Sequence, residues 1–149
     1  MEIKIEDASL KYLDKMVEIE KQCFTDEAFS RQQISYLLTD YNTISLVAKI
    51  NGELAGFVIL QLEEQNDREF GHIITLNVSS NFRRVGVAQK MMGEAEHLLR
   101  ARGIVECRLE VRQDNHAAIK LYKQLGYVEI GVLDRYYGKK HGLYLKKNL

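Results

Sequence analysis

The chain has 149 residues, 46% hydrophobic and 28% charged, proportions of a globular domain with a real core and not of a disordered chain. Twenty-one basic and twenty-one acidic residues cancel, so no overall field draws the protein to nucleic acid or a membrane, and any anion site must be local. Cys23 and Cys107 are too few for a disulfide scaffold or structural zinc, the four histidines show no HExxH spacing, and no apolar run approaches a membrane span, so reduced thiols, no metal and a cytoplasmic location are expected.

Ile3 and Ile5 alternate with charges as a first strand, β1, after which Asp7 or Ser9 can cap a helix, α1, carrying Leu10, Leu13, Met16 and Val17 on one face. Ser30 with Gln33 has the form of a capping box, and Ile34, Leu37 and Leu38 follow at helical spacing as α2. β-branched and apolar residues over 44–50 and 54–62 read as β2 and β3, joined by the hairpin signal Asn51-Gly52. Residues 63–69 read as polar loop and 70–78 as β4. A long helix, α3, aligns Val87, Met91, Ala95 and Leu98 and stops at Gly103. β5 spans 104–111, Asp114 and Asn115 are cap candidates for α4, and that helix runs through Leu121 and Tyr122 to Gly126. Two short strands, β6 over 127–133 and β7 over 141–145, follow. No repeat or linker interrupts this order, so one domain over 1–149 is expected, of α/β (α+β) class. The β4-α3-β5 unit demands a parallel pair inside a mixed, mostly antiparallel sheet of about seven strands flanked by four helices.

Between β4 and α3 lies Asn81-Phe82-Arg83-Arg84-Val85-Gly86-Val87-Ala88, a strand-to-helix turn with two arginines, a glycine and a small residue. Free N–H groups in a first helical turn, the helix dipole and close backbone approach suit a pyrophosphate, although an ordinary basic turn would have the same pattern. Neither GxxxxGK[ST] nor GxGxxG is present.

The string RRVGVA resembles the [QR]-x-x-G-x-[GA] signature of the GNAT superfamily of N-acetyltransferases, and LEVRQDNHAAIKLYKQLGY, residues 109–127, resembles the next block of that family. GHIITLNV before the turn and RYYGKKHGLYLKKNL at the end are similar to N-terminal protein acetyltransferases, both the bacterial ribosomal-protein-alanine type and the archaeal and eukaryotic catalytic subunits. The resemblance implies the GNAT fold and acetyl-CoA as cosubstrate, with its pyrophosphate in the Arg83, Arg84, Val85, Gly86, Val87, Ala88 turn. It implies β4 and β5 splayed apart, pantetheine along Leu76, Asn77 and Val78, Asn115 on the pantetheine side or ordering its loop, and Tyr122 near the thioester sulfur. Tyr136 and Tyr137, after β6, resemble the tyrosines that clamp the acceptor peptide; Phe24, Glu27 and Phe29, in the 23–31 loop, fall in the opposite wall of the groove. Bacterial relatives carry Pro-Trp-Ser in that loop, where this chain has Ala28-Phe29-Ser30 and no proline anywhere.

Acetyl transfer to an amine needs a base for the surplus proton and an acid for the leaving thiolate. Glu110 is the candidate base and Tyr122, twelve positions on, the candidate acid, since a phenol of pKa about 10 keeps its proton at rest. Each residue also has a plainer reading. Glu106, Arg108, Glu110 and Arg112 could form a solvated, ion-paired strand surface, Tyr122 could be a core aromatic, the tyrosine pair a strand edge, and Glu27 a surface carboxylate. His72 and His116 read as structural, and Cys107 as a buried small residue. The expected activity is transfer of acetyl to a protein or peptide N-terminal α-amine, ribosomal proteins being candidate acceptors, by a monomer or weak dimer. The alternatives are a small-molecule amine acetyltransferase, a lysine acetyltransferase, or a non-catalytic acetyl-CoA-binding module. An α-amine (pKa about 7.7–8.0) is more readily neutral than a lysine (about 10.4), by roughly 3–4 kcal/mol at neutral pH.

Overall fold

The computed structural model describes residues 1–24, 26–138 and 140–149; Thr25, in the 23–31 loop, and Lys139, in the C-terminal block, lie outside the described residues. Along the chain run β1 (Ile3–Asp7), a 3-10 turn (Leu10–Tyr12), α1 (Leu13–Cys23), α2 (Arg31–Thr39), β2 (Thr43–Ile50), β3 (Glu53–Gln65) and β4 (Arg68–Val78). A second 3-10 turn (Ser80–Phe82), α3 (Val87–Ala101), β5 (Glu106–Arg112), α4 (His116–Gln124), β6 (Val128–Tyr137) and β7 (Lys140–Asn148) complete it. The strands form one sheet in the order β1-β2-β3-β4-β5-β7-β6, with β4 and β5 its parallel pair.

Several local signals act as their chemistry dictates. Ser30 accepts from the Gln33 N–H at 3.1 Å while the Gln33 side chain accepts from the Ser30 N–H at 2.8 Å, closing the capping box of α2. Asn51 and Gly52, at φ 51° and 81°, make the two-residue turn that pairs β2 with β3. Other boundaries differ from the sequence reading. Asp7 belongs to β1, and Ser9 precedes the 3-10 turn without a side-chain cap, so α1 starts only at Leu13. Residues 63–69 are a hairpin and no loop: Glu63 pairs with Phe70, Glu64 with Glu69 and Gln65 with Arg68, around a turn whose Asn66 and Asp67 stand at φ 54° and 62°. β6 and β7 also extend beyond their apolar centres, so Tyr136 and Tyr137 are the last residues of β6.

The core has two layers. On one face of the sheet Met16, Ile19 and Ile34 of α1 and α2 pack on Val47, Phe57 and Ile59, every one fully buried. On the other, Met91, Met92 and Leu99 of α3, with Tyr122 of α4, pack on Val58, Leu60 and Leu109. Ile74 is an extra residue in β4, since Ile59 pairs with Thr75 and Leu60 with Ile73. This bulge turns Thr75 and Asn77 toward α1, where both bond Glu20, and leaves Leu76 and Val78 packed against the α3 core. Among the described residues no helix is long and apolar enough to cross a membrane.

Candidate active site

β4 and β5 pair only through Gly71↔Cys107, His72↔Arg108 and Ile73↔Leu109. Beyond that point the strands part, and the β4 edge over 74–78 carries no ladder bonds to β5. Asn77 is buried and held, its amide donating to Glu20 and Thr75 at 2.9 Å each. The chain then turns through Arg84 at φ 63° and Gly86 at φ 91° into α3. Gly86 is the N-cap and has no side chain to offer, so the N–H groups of Val87, Ala88 and Gln89 open α3 without a capping group; the helix ladder begins with the Lys90 N–H on the Gly86 carbonyl, 3.1 Å. A Cβ built on Gly86 would meet nothing within 4 Å. Arg83, Arg84 and Val85 are exposed around this opening, and Arg83 Nε donates to the Val78 carbonyl at 3.4 Å. Open helix N–H groups, a positive rim and an unpaired strand edge form a surface that fits a pyrophosphate followed by an extended, amide-bearing arm.

The other half of the site lies on the α1 side of β5. Alternation sends Cys107, Leu109 and Val111 into the α3 core and Glu106, Arg108, Glu110 and Arg112 to the opposite face. These charges are not a solvated ladder. Arg108 donates to Glu106 and Gln65 at 2.7 Å each, and Arg112 is held by Glu27 and Asp114 at 2.8 to 2.9 Å. Glu110, with a side chain 16% exposed, is left to His72, whose Nε2 lies 2.7 Å from its Oε1, while Glu63 meets the other ring nitrogen. Burial works against protonation of His72, but the hydrogen bonds and charges of Glu110 and Glu63 outweigh it and raise its pKa above the ordinary histidine value.

Tyr136 and Tyr137 stack edge to face at 4.9 Å, beside Gly142 of β7. Burial raises the pKa of both hydroxyls, with Glu110 adding to each. Glu27 is tied by its bond to Arg112, which lowers its pKa and makes it a weaker base than a free carboxylate. Phe29, packed against the α1–α2 core, donates its N–H to buried Glu20 at 3.1 Å, while half-buried Phe24 follows the end of α1. Tyr122 lies on the far face of β5, 8% exposed, edge-on to Tyr127; burial foremost, then Cys107 and Tyr137, raise its pKa, so it stays a protonated phenol. Asn115 caps α4, accepting from the Ala118 N–H at 3.2 Å, and so orders its own loop.

His72, Glu63 and Gly142 are the residues that sequence reasoning missed. His72 contacts a residue 38 positions away, and Glu63 opens a polar run with no apolar alternation to mark it as strand. Gly142 matters because a Cβ there would stand 3.1 Å from the Tyr137 ring and 3.2 Å from Tyr136 Cβ. His116 is exposed at the start of α4, and Cys107 is fully buried, its thiol pushed up to about 12 by burial.

The profile of the Acetyltransferase (GNAT) family matches residues 13–127. The chain belongs to this family. It is 28% identical over 97% of its length to an N-alpha-acetyltransferase of Sulfurisphaera tokodaii, spanning 91% of that protein. It is 33% identical over 78% of its length to the N-terminal acetyltransferase A complex catalytic subunit NAA10 of Arabidopsis thaliana, of which it spans only 58%. Among solved structures, Ard1 from Thermoplasma volcanium superimposes with a TM-score of 0.88 at 26% identity, covering 100% of this chain and 99% of that one. The same fold, at 17% identity, TM-score 0.84 and full coverage of both chains, is found in Arabidopsis thaliana Naa50 in complex with the bisubstrate analogue CoA-Ac-MVNAL. As a GNAT acetyltransferase, the protein is an acetyl-CoA-dependent enzyme.

Proposed function

We propose that residues 1–149 form one catalytic domain that transfers the acetyl group of acetyl-CoA to the N-terminal α-amine of a protein or peptide. The observation that carries this reading is Glu110: half-buried, unpaired with either neighbouring arginine, and held at 2.7 Å by His72. The α-amine specificity draws support from the N-alpha-acetyltransferase of S. tokodaii and from the fold shared with a Naa50 that binds CoA joined to a peptide.

In this reading the open N–H groups of Val87, Ala88 and Gln89 hold the pyrophosphate, with Arg83 and Arg84 at its rim. The β4 edge at Leu76, Asn77 and Val78, which β5 leaves unpaired, orients the pantetheine arm and aims the thioester at the gap between the strands. Glu110, with His72, takes the surplus proton of the acceptor amine, directly or through a water. Tyr122, kept protonated, supplies a proton to the leaving sulfur from the opposite face of β5. Tyr136 and Tyr137 flank the acceptor backbone, with Phe24, Glu27 and Phe29 across from them.

The test is a screen of the purified chain with acetyl-CoA against three acceptor classes, the acetyl group being located by mass spectrometry. The first class is free-N-terminus peptides varied at their first two residues, ribosomal protein N-termini included; the others are N-blocked lysine peptides and small amines. Acetyl on the α-amine is the expected result. Acetyl only on lysine or on small amines overturns the reading.

A further inference from the structure

Glu63, His72 and Glu110 form a three-membered chain on the α1 side of the sheet. Glu63 Oε2 lies 2.5 Å from His72 Nδ1, and Glu110 Oε1 lies 2.7 Å from Nε2. The chain runs from a half-buried carboxylate to a wetter one, the Glu110 side chain being 16% exposed and that of Glu63 37%. Glu63 reaches this place because β3 continues past its apolar stretch to Gln65, and because Glu63 lies beyond Gln61, the residue paired with His72, on the same face. After burial, both carboxylates raise the pKa of Tyr136 of β6, and Tyr144 of β7 is the register partner of Glu110. Arg108, paired with His72 across β4 and β5, is engaged by Glu106, Gln65 and the Tyr144 hydroxyl and stacks 4.0 Å over the Phe70 ring.

The chemistry leaves a task for such a chain. The acceptor nitrogen bonds to the acetyl carbon while the carbon–sulfur bond breaks and its electron pair leaves with sulfur. An ammonium group sheds two protons on becoming an amide N–H. One ends on sulfur, and the other must be held and then lost to water. A lone carboxylate of ordinary basicity holds a proton poorly at neutral pH, whereas a carboxylate and an imidazole sharing one proton hold it better.

We propose that Glu63 is a positioning residue for acetyl transfer: it fixes the Nδ1 proton of His72, so that Nε2 faces Glu110 and the pair can hold the proton taken from the acceptor amine. The proposal rests on the function proposed above. With Nδ1–H donated to Glu63, the second ring proton lies between Nε2 and Glu110 Oε1, so that the imidazolium sits between two carboxylates and loss of this bridging proton leaves the base-competent pair. After the acetylated product leaves, the pair returns the proton to water.

The Glu63 charge favours imidazolium, so removing it lowers the pH at which the Glu110–His72 pair gives up its proton. Glu63→Gln keeps an oxygen to accept Nδ1–H and removes only the charge. The base-competent form is the deprotonated pair, so the acid limb of kcat/KM moves to lower pH, by about half a unit or more. One peptide is used throughout, which makes the acceptor's own titration common to both enzymes. In parallel, the His72 ring is titrated by NMR in wild type and variant, and its midpoint is expected to fall with the acid limb. A uniform loss at every pH, or an unchanged His72 titration, overturns the proposal. If the wild type acetylates no α-amine, the proposed function fails, and the His72 titration still decides whether Glu63 controls the ring.

Discussion

Gly86 illustrates how one residue serves two needs. At φ 91° it occupies the left-handed region that L side chains rarely adopt, and its missing Cβ leaves the mouth of α3 open. Any side chain there adds backbone strain, so a single variant cannot separate strain from charge. Gly86→Ala brings the strain alone; Gly86→Asp adds a carboxylate where the pyrophosphate is proposed to bind. Acetyl-CoA affinity, measured by calorimetry, should fall at least tenfold further in Gly86→Asp than in Gly86→Ala, about 1.4 kcal/mol. Equal affinities in the two folded variants would remove the anion from this turn. Cys107, by contrast, takes no part: a fully buried thiol with its pKa pushed up to about 12 is a core residue and not a nucleophile.

At the scale of elements, the β6–β7 hairpin bears on the acceptor. Gly142 is not in the left-handed region, so alanine fits the backbone, but its Cβ would press on Tyr137 at 3.1 Å and Tyr136 at 3.2 Å. The rings must then shift by a few tenths of an ångström. Gly142→Ala is expected to raise the KM for peptide roughly threefold to tenfold, with acetyl-CoA affinity unchanged. A matched loss of both would assign the hairpin to folding instead. Legibility in the sequence also divides by element. Wherever one turn of chain decides the structure, as at Ser30 with Gln33, Asn51 with Gly52, or Gly103, the residues themselves carry the answer. The β3–β4 arm was not legible, because Glu63 to Glu69 has no apolar face and its strand character comes from pairing alone. Simple alternation also fails in β4. The bulge at Ile74 reverses the parity, so His72 and Thr75, three apart, share a face that a regular strand would deny them. The sequence nominated Glu110 and Tyr122, but the partner that distinguishes Glu110 from its charged neighbours is 38 residues away.

Over the whole molecule, the two core layers separate two tasks. α3 and α4 cover the face that meets the uncapped helix end and Tyr122; α1 and α2 cover β2 to β4 on the other face, where Glu63, His72, Glu110 and the tyrosine pair gather. The two faces communicate where β4 and β5 part, just past Ile73 and Leu109, and Glu110 is the next residue along β5. In the proposed function, a base at this junction acts on an amine entering from one side while the thioester lies along the β4 edge. The kcat/KM of Glu110→Gln on a free-N-terminus peptide, measured from pH 7 to pH 9, tests this most directly. The substitution keeps size and hydrogen bonding but removes the base, so a loss of roughly 10²-fold is expected at pH 7, shrinking toward pH 9, where more of the acceptor amine is already neutral. Near-wild-type kcat/KM at pH 7 in a folded variant that still binds acetyl-CoA would contradict it.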